Sequence, residues 1–544
     1  MEGNPFDRRP LGAWLQIGAE EHPDRPLLTM PDGSWSYREV FDDSLHVARG
    51  LVALGVGPGD HVGALIPNSP ELLAAMFGSA LIGAVFVPIN ARYRVQELGY
   101  VIANADIKVI LTSDLLDDHV DFSAILRQAL PSIPDQPAPE RLRPAEAPKL
   151  EHIAMLRGGS RPGFIDRTEF DRRAAAAEPP KPFPAEPAPR SPVCILYTSG
   201  TTADPKGCVI SHEALTRGCR AKVVERLEPG EGDAHWSAGP LFHIGSLQVF
   251  LGALTTGGSY LTDRRFDPAA AFALMRDHRV VHAWPWFPAV IQDIMALAEF
   301  DPEELRSMRT LMLSWPEPLR LEVQDRFPWI KLFGACGMTE TAGSYATNGK
   351  DDTRQERAAD NGIPFEGVEV KVIDPETGED LGFGHSGELL VRGYQVMDGY
   401  YNDPEKTAAA IDADGWFHTG DVYSRGETGQ LTFRTRLKDM LKVGGENVAA
   451  VEIEAALMRL PEVRTAEVVG LKDPRLDEIP VAFVELEPGL YLGAEELIAH
   501  CRGSIASYKV PRQIHFVEPG GWPMSATKVN KNVLRERAGA LASA

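Results

Sequence analysis

Cysteine is scarce in this 544-residue chain, which has only Cys194, Cys208, Cys219, Cys336 and Cys501 and no C-x-x-C pair among them. An odd set without such spacing gives neither a disulfide framework nor a zinc pattern, and it fits a reducing cytoplasm. Positive charge is also in deficit. The 55 Lys and Arg residues face 77 Asp and Glu, a net charge of -22, which argues against a broad nucleic-acid surface and leaves room for a local basic site. The amino terminus mixes Glu2, Asp7, Arg8 and Arg9 where an export signal needs an apolar core. One uncharged run, Leu72 to Ile89, has the length of a membrane-span candidate, but Gly78, Ser79, Gly83 and Pro88 interrupt it. Its shift from Ala and Leu to Val85-Phe86-Val87 reads as a helix leading into a buried strand, so the chain reads as soluble, without a transmembrane segment.

What the chain does have is alternation. Phe41, Leu45, Ala48 and Val52 form one helical face, followed by a glycine-rich turn at 55–59 and a strand-like run from Val62 to Ile66. The pattern continues to Val109-Ile110-Leu111, as expected for helices packed on a largely parallel sheet. The glycines at 55, 57 and 59 precede a strand, whereas a dinucleotide fingerprint follows one, so a Rossmann site is rejected there. From Pro131 to Pro192 the chain turns Pro- and Ala-rich and reads as a surface spacer. The last hundred or so residues read as a smaller α+β unit, with a helix face at Ile453, Ala456, Leu457 and Leu460 and strands at Val481 to Leu486 and Gln513 to Val517. A length of 544 residues exceeds what one core organises, and a boundary is placed near Arg436.

The segment Thr198-Ser199-Gly200-Thr201-Thr202-Ala203-Asp204-Pro205-Lys206-Gly207 carries the first chemistry. It follows a buried-strand run, Val193 to Tyr197, and precedes Ser211, a cap for a helix bearing Leu215, Cys219, Val223 and Leu227. Hydroxyls, exposed backbone N–H groups and one lysine in a short loop suit polyphosphate oxygens. It is not a Walker A loop, because Pro205 precedes the lysine and Gly207 follows it. Taken alone, an ordinary Ser/Thr/Gly turn reads equally well.

Further segments raise the phosphate reading. These are Gly337-Met338-Thr339-Glu340, Gly387-Glu388-Leu389, Trp416-Phe417-His418-Thr419-Gly420-Asp421, Arg436-Leu437-Lys438-Asp439 and Tyr508-Lys509-Val510-Pro511-Arg512. With the loop, in this order, they resemble the signatures of the adenylate-forming superfamily of acyl-CoA synthetases, non-ribosomal adenylation domains and luciferases. The resemblance spans Trp35 to Arg535. It implies an α/β fold with a large N-terminal adenylation domain on helix-flanked sheets over 1–435, a hinge at 436–438 and a small mobile α+β domain over 439–544. It also implies ATP, Mg2+ and coenzyme A as cofactors or co-substrates.

By the same resemblance, Thr198, Ser199, Gly200, Thr201, Thr202 and Lys206 hold phosphates, Thr339 meets the α-phosphate and Glu340 ligates Mg2+, a hard cation that prefers oxygen. Asp421 takes the ribose hydroxyls, since a carboxylate accepts two hydrogen bonds at once, and Arg436 shares that region. Lys528, in Pro523-Met524-Ser525-Ala526-Thr527-Lys528, resembles the lysine that bridges carboxylate and α-phosphate, where a positioned cation lowers the repulsion of two anions. Lys509 and Lys531 read as surface charges. Lys438 is the implied hinge, and Gly444 and Gly445 lie in a loop that would approach pantetheine closely.

Several positions depart from the family pattern. Ala203 stands for a glycine, Cys336 for the aromatic that stacks on adenine, and Thr435 and Thr527 for glycines before Arg436 and Lys528. Trp315, in Ser314-Trp315-Pro316, is an alternative aromatic plane or a buried structural residue. His243, in Pro240-Leu241-Phe242-His243, is a gate or acyl-pocket candidate, as is Trp284 with Trp286 and Phe287; core packing competes for all of them. His278 and His282 have no third ligand, so no metal is assigned there. The leading expectation is an acid–thiol ligase acting on a small carboxylic acid and CoA, with some resemblance to carnitine- and bile-acid-type CoA ligases in Gly444-Gly445-Glu446-Asn447-Val448 and Val469-Gly470-Leu471-Lys472-Asp473. Loading of a carrier protein and a nucleotide-binding pseudoenzyme stay open on the sequence, as does oligomeric state, a homodimer included.

Overall fold

The computed structural model describes the chain except for residues 1–7, 136–139, 178–189, 199–204, 286–287, 314–316, 444–445, 474–475, 506, 525–527 and 543–544. It divides into two compact units. One comprises the described residues within Met1–Trp315, Leu319–Glu369 and Arg392–Phe417, and the other those within Pro316–Pro318, Val370–Val391 and His418–Ala544. This division differs from a cut at Arg436 because the strands Phe417–Arg425 and Leu431–Arg436 pair with one another in the second unit, Asp421 opposite Arg436.

The first unit is built on two seven-stranded sheets. In one, the strands Pro192–Thr198, Val85–Pro88, His61–Leu65, Ile107–Ser113 and His152–Arg157 run parallel in that spatial order, while Lys206–Ser211 and Gly399–Tyr400 add antiparallel strands at one edge. The expected helix–strand transition is present. Ser69 caps the helix Pro70–Leu81, whose Leu72 to Ala80 are all buried, and Val85–Pro88 follows as a wholly buried strand. In the other sheet, Lys331–Phe333, Thr310–Met312, His282–Trp284, Ala234–Ser237, Ser259–Leu261 and Pro26–Met30 are parallel neighbours. Buried on both faces, such strands read as apolar runs. Among the described residues no helix is long and apolar enough to cross a membrane.

Two expectations are corrected. The helix Tyr37–Ala53 forms, capped by Ser36 with Glu39 in a capping box, but it buries Tyr37, Val40, Ser44, Val47, Ala48 and Leu51, while Val52 is 38% exposed. The buried face is displaced because the neighbouring helix approaches closely: a Cβ on Gly78 would lie 3.0 Å from the Ser44 carbonyl oxygen. Ser44 is buried there with its hydroxyl donating to the Val40 carbonyl at 2.6 Å. The Pro131 to Pro192 stretch is not a plain spacer either, since it contributes the edge strand His152–Arg157 and the helix Arg167–Ala176, which Asp166 caps. The apolar run Ile153-Ala154-Met155-Leu156 supplies a core face that the surrounding prolines obscure in composition.

The second unit contains the sheet Val368–Ile373, Ser386–Gly393, Phe417–Arg425 and Leu431–Arg436, and a five-stranded sheet in which Asp477–Leu486 pairs with Val463–Asp473, Met440–Val443 and Gln513–Phe516. Val448, Ile453, Leu457, Val484, Leu497 and Cys501 share one core beside the latter. Leu534 and Ala538 of the helix Lys531–Ala542 pack against Val469, Val481 and Phe483 in another. The expected strands at 481–486 and 513–517 and the helix at 453–457 are thus present, although the helix ends at Leu457 and leaves Leu460 beyond it.

Candidate active site

The phosphate-loop candidate is framed by an antiparallel strand pair. Thr198 ends the strand Pro192–Thr198 directly opposite Lys206, which opens the strand Lys206–Ser211, and Ser211 caps the next helix through the Ala214 N–H as expected. Ser199, Gly200, Thr201 and Thr202 lie outside the described residues. Gly399–Tyr400 pairs with the outer side of Lys206–Ser211, Tyr400 opposite Cys208, and this register brings the Tyr400 ring beneath the Lys206 ammonium, 4.9 Å from the ring centroid. Tyr400 Oη donates to Glu340 Oε1 at 3.0 Å. Burial, then the Glu340 charge, holds the Tyr400 phenol protonated far above its usual range. One cation, one phenol and one carboxylate therefore form a short chain beside the strand-pair end, and no motif links Tyr400 to the others in sequence.

Thr339 and Glu340 sit on a 3-10 turn, Thr339–Thr341, between the antiparallel strands Ala335–Met338 and Gly343–Thr347. Thr341 Oγ1 locks the turn by accepting from the Met338 N–H and donating its one proton to the Gly343 carbonyl at 2.8 Å, with the Met338 carbonyl 3.1 Å away. Gly337 is required by space, because a Cβ there would come 2.5 Å from the Gly343 carbonyl oxygen. The Met397 N–H donates to the Glu340 carbonyl, a second tie to the Tyr400 segment. Cys336 is buried opposite Ala346 in this hairpin. His243 is half-buried and caps the helix Ile244–Thr255, its Nδ1 accepting from Gly245 N–H at 3.1 Å. Trp284 is buried at the end of the strand His282–Trp284 opposite Ser237, with the Lys222 ammonium 3.9 Å from its ring centroid. Trp315 lies outside the described residues.

In the second unit Asp421 and Arg436 face each other across neighbouring strands, with Arg436 Nε 3.3 Å from Asp421 Oδ1. Glu388, whose motif gave it no task, buttresses the Asp421 turn: its Oε1 accepts from Gly420 N–H at 3.1 Å and its Oε2 lies 3.0 Å from His418 Nδ1. Lys528 is exposed just before the helix Lys531–Ala542. The other two lysines differ from the surface charges expected of them. Lys531 Nζ bonds Glu454 Oε1 at 2.5 Å and approaches Glu467 Oε2 at 3.2 Å, with its side chain 18% exposed, and Lys509 pairs with Glu452. Both ammonium groups are committed to carboxylates of their own unit. Lys438 occupies a 3-10 turn, Leu437–Asp439, whose Asp439 is held by Arg535 at 2.8 Å. Gly444 and Gly445 lie outside the described residues, between the paired strands Met440–Val443 and Glu446–Ala449.

These ordered motifs coincide with a family match over most of the chain. The AMP-binding enzyme model matches residues 15–401, and the AMP-binding enzyme C-terminal domain model matches residues 452–527. The chain belongs to the AMP-binding enzyme family. This AMP-binding enzyme is 32% identical to a feruloyl-CoA synthase of an Amycolatopsis species, over 93% of this chain and 95% of that protein. It is also 32% identical to a (7a-methyl-1,5-dioxo-octahydro-1H-inden-4-yl)propanoyl:CoA ligase of Mycobacterium tuberculosis, over 97% of this chain and 99% of that protein. The fold matches a solved anthranilate CoA ligase, AuaEII in complex with anthranoyl-AMP, with a TM-score of 0.85 and 24% identity over 100% of this chain and 99% of the other. The expected α/β architecture, a large sheet-based N-terminal part and a smaller C-terminal domain, is the one observed.

Proposed function

We propose that the chain is an AMP-forming acyl-CoA synthetase acting on a small carboxylic acid. The observation that carries this reading is the Lys206–Tyr400–Glu340 arrangement beside the Thr198 and Lys206 strand ends, in an AMP-binding enzyme whose relatives are CoA ligases over nearly their whole length. In the first step a carboxylate oxygen of the acid bonds to the α-phosphorus of ATP while the bond from that phosphorus to the bridging oxygen breaks, releasing pyrophosphate. Thr198 and Lys206 steady the leaving pyrophosphate, and Thr339 contacts the α-phosphate. Asp421 accepts from the ribose hydroxyls with its position fixed through Glu388 and Arg436. Lys528 offsets the repulsion between carboxylate and phosphate, charge stabilisation of the kind that dominates such transfers.

Glu340 fits Mg2+. Its Oε1 takes the Tyr400 hydroxyl, and its Oε2 accepts from no described residue. A hard cation such as Mg2+ is commonly held by one or two carboxylates together with substrate phosphate oxygens. When bound, Mg2+ would neutralise phosphate charge. Tyr400 orients the carboxylate toward that task.

In the second step the CoA sulfur bonds to the acyl carbonyl carbon, and AMP leaves with the carboxylate-derived oxygen. Lys438, on the turn that follows the paired strands Phe417–Arg425 and Leu431–Arg436, is assigned the hinge between the two steps, and Gly444 and Gly445 the approach of pantetheine. The five free cysteines, all buried, suit a reducing cytoplasm. Purified protein with ATP, CoA and a panel of acids tests the reading. It requires acid-dependent exchange of labelled pyrophosphate into ATP, followed by acyl-CoA and AMP in equal amounts. Exchange without acyl-CoA points to a carrier-protein acceptor, and no exchange with any acid removes the adenylation reading.

A further inference from the structure

Lys222 ends the helix His212–Lys222 and is 1% exposed. Its Nζ donates to Gln248 Oε1 at 3.0 Å and stands 3.9 Å from the Trp284 ring centroid. An ammonium group has three N–H donors. Among the described residues one acceptor and one ring face meet this one, and no carboxylate pairs with it. Burial without a counter-charge draws the amine down to about 7. The remaining donor capacity is what a ligand oxygen would use, because a buried polar group left unmatched is costly.

The surroundings tie this amine to the adenylation hairpin. Gln248 Oε1 also accepts from the Ser344 N–H at 3.0 Å and from Ser344 Oγ at 2.9 Å, while Gln248 Nε2 donates to no described residue. Ser344 pairs with Gly337 across the hairpin whose turn carries Thr339 and Glu340. A Cβ on Gly343 would come 2.8 Å from Gln248 Oε1, so that glycine leaves room for the amide. Gln248 lies on the helix that His243 caps, and Trp284 covers the amine. Trp284 thus borders this buried polar cluster, and His243 caps the helix that carries its Gln248.

We infer that Lys222 and Gln248 form the inner end of the acyl pocket and select acids bearing a second oxygen acceptor, a ketone or carboxylate, remote from the reacting carboxylate. The inference rests on the acyl-CoA synthetase reading for the identity of the pocket. Lys222 Nζ and Gln248 Nε2 supply donors to that distal oxygen, and the Trp284 plane borders the chain that leads to it. An acid with a purely hydrocarbon end leaves these donors unmatched, a penalty that discriminates more sharply than a missing methylene.

Matched acid pairs test this on the full-length protein: valerate with levulinate, hexanoate with adipate, and benzoate with terephthalate. In pyrophosphate exchange the wild type is expected to favour the oxygenated member of at least one pair by about tenfold or more in kcat/KM, the range of a hydrogen bond to a charged group. The levulinate and dicarboxylate arms separate ketone from carboxylate recognition. Lys222→Met should lower kcat/KM for the favoured acid at least about tenfold more than for its partner, chiefly through KM. Calorimetric titration of the same pairs reads binding without chemistry. If no acid supports exchange but the wild type binds the oxygenated member more tightly and Lys222→Met loses the difference, the adenylation reading fails and the pocket assignment stands. If Lys222→Met does not fold, the wild-type preference decides. Equal turnover and equal binding within all three pairs, or a ratio that Lys222→Met leaves unchanged, overturns the inference.

Discussion

The Tyr400 hydroxyl donates to Glu340 Oε1 at 3.0 Å although the two residues are 60 positions apart, and the same ring lies under the Lys206 ammonium. A hydrogen bond to a charged acceptor contributes about 1.5–3 kcal/mol. Tyr400→Phe keeps the ring beneath Lys206 and removes only that bond. It should lower kcat/KM for pyrophosphate exchange by roughly 10- to 100-fold and raise the Mg2+ concentration needed for half-maximal rate. Unchanged Mg2+ dependence would separate Tyr400 from the Glu340 task.

Lys531 is held by Glu454 and Lys509 by Glu452, whereas Lys528 lies in the segment that resembles the adenylation lysine's. Lys528→Ala should reduce adenylation by about a thousandfold, as loss of a central electrostatic group does, while thiol transfer from preformed acyl-AMP persists. Lys531→Ala should instead lower stability, because it strands buried Glu454 and half-buried Glu467. Thermal melts and the two half-reactions measured side by side give the comparison. Equal loss of both half-reactions in Lys528→Ala contradicts its assignment.

If Lys438 is the hinge between half-reactions, fixing its φ affects one step more than the other. Lys438→Pro is expected to slow acyl transfer to CoA by at least tenfold more than pyrophosphate exchange, a rough figure for a blocked conformational step. Single-turnover acyl-CoA formation against exchange rate is the measurement, and equal slowing argues against a hinge there.

Acid should destabilise the fold through His212. Its buried Nδ1 accepts the Leu11 N–H at 3.1 Å, and burial draws the imidazole down to about 4 from 6.5. The neutral ring is the one that accepts, so the stabilisation is complete above pH 6.5 and is lost as pH falls toward 4. Its size is on the order of 3 kcal/mol. Melting temperature should drop across that window, and His212→Asn, which still offers an acceptor but does not titrate there, should flatten the drop. An equally steep decline in the variant would show that other groups govern it.

Local signals were legible where they were repeated along the chain. Ser211 before an apolar four-residue period announced its helix, and the change from Ala and Leu to Val85-Phe86-Val87 announced the helix-to-strand transition. The exposed Val52 and buried Ser44 show the limit of periodicity: which helix face is buried depends on how closely the Gly78 helix approaches. The strand His152–Arg157 was hidden because proline at both ends dominated the composition of its region. Tyr400 with Glu340, and Lys222 with Gln248, 26 residues away, are products of strand register and helix packing. No spacing rule connects such pairs, whereas Asp421 and Arg436, which face each other across neighbouring strands, each sit in a recognisable segment of their own.

The most direct test of the central claim follows an oxygen atom. An accepted acid labelled with 18O in both carboxylate positions is incubated with the purified chain, ATP and CoA, and the nucleotide product is weighed by mass spectrometry. Formation of an acyl-adenylate and its cleavage by CoA predicts AMP carrying one 18O per acyl-CoA formed. AMP free of label, or ADP and phosphate in its place, would contradict the account.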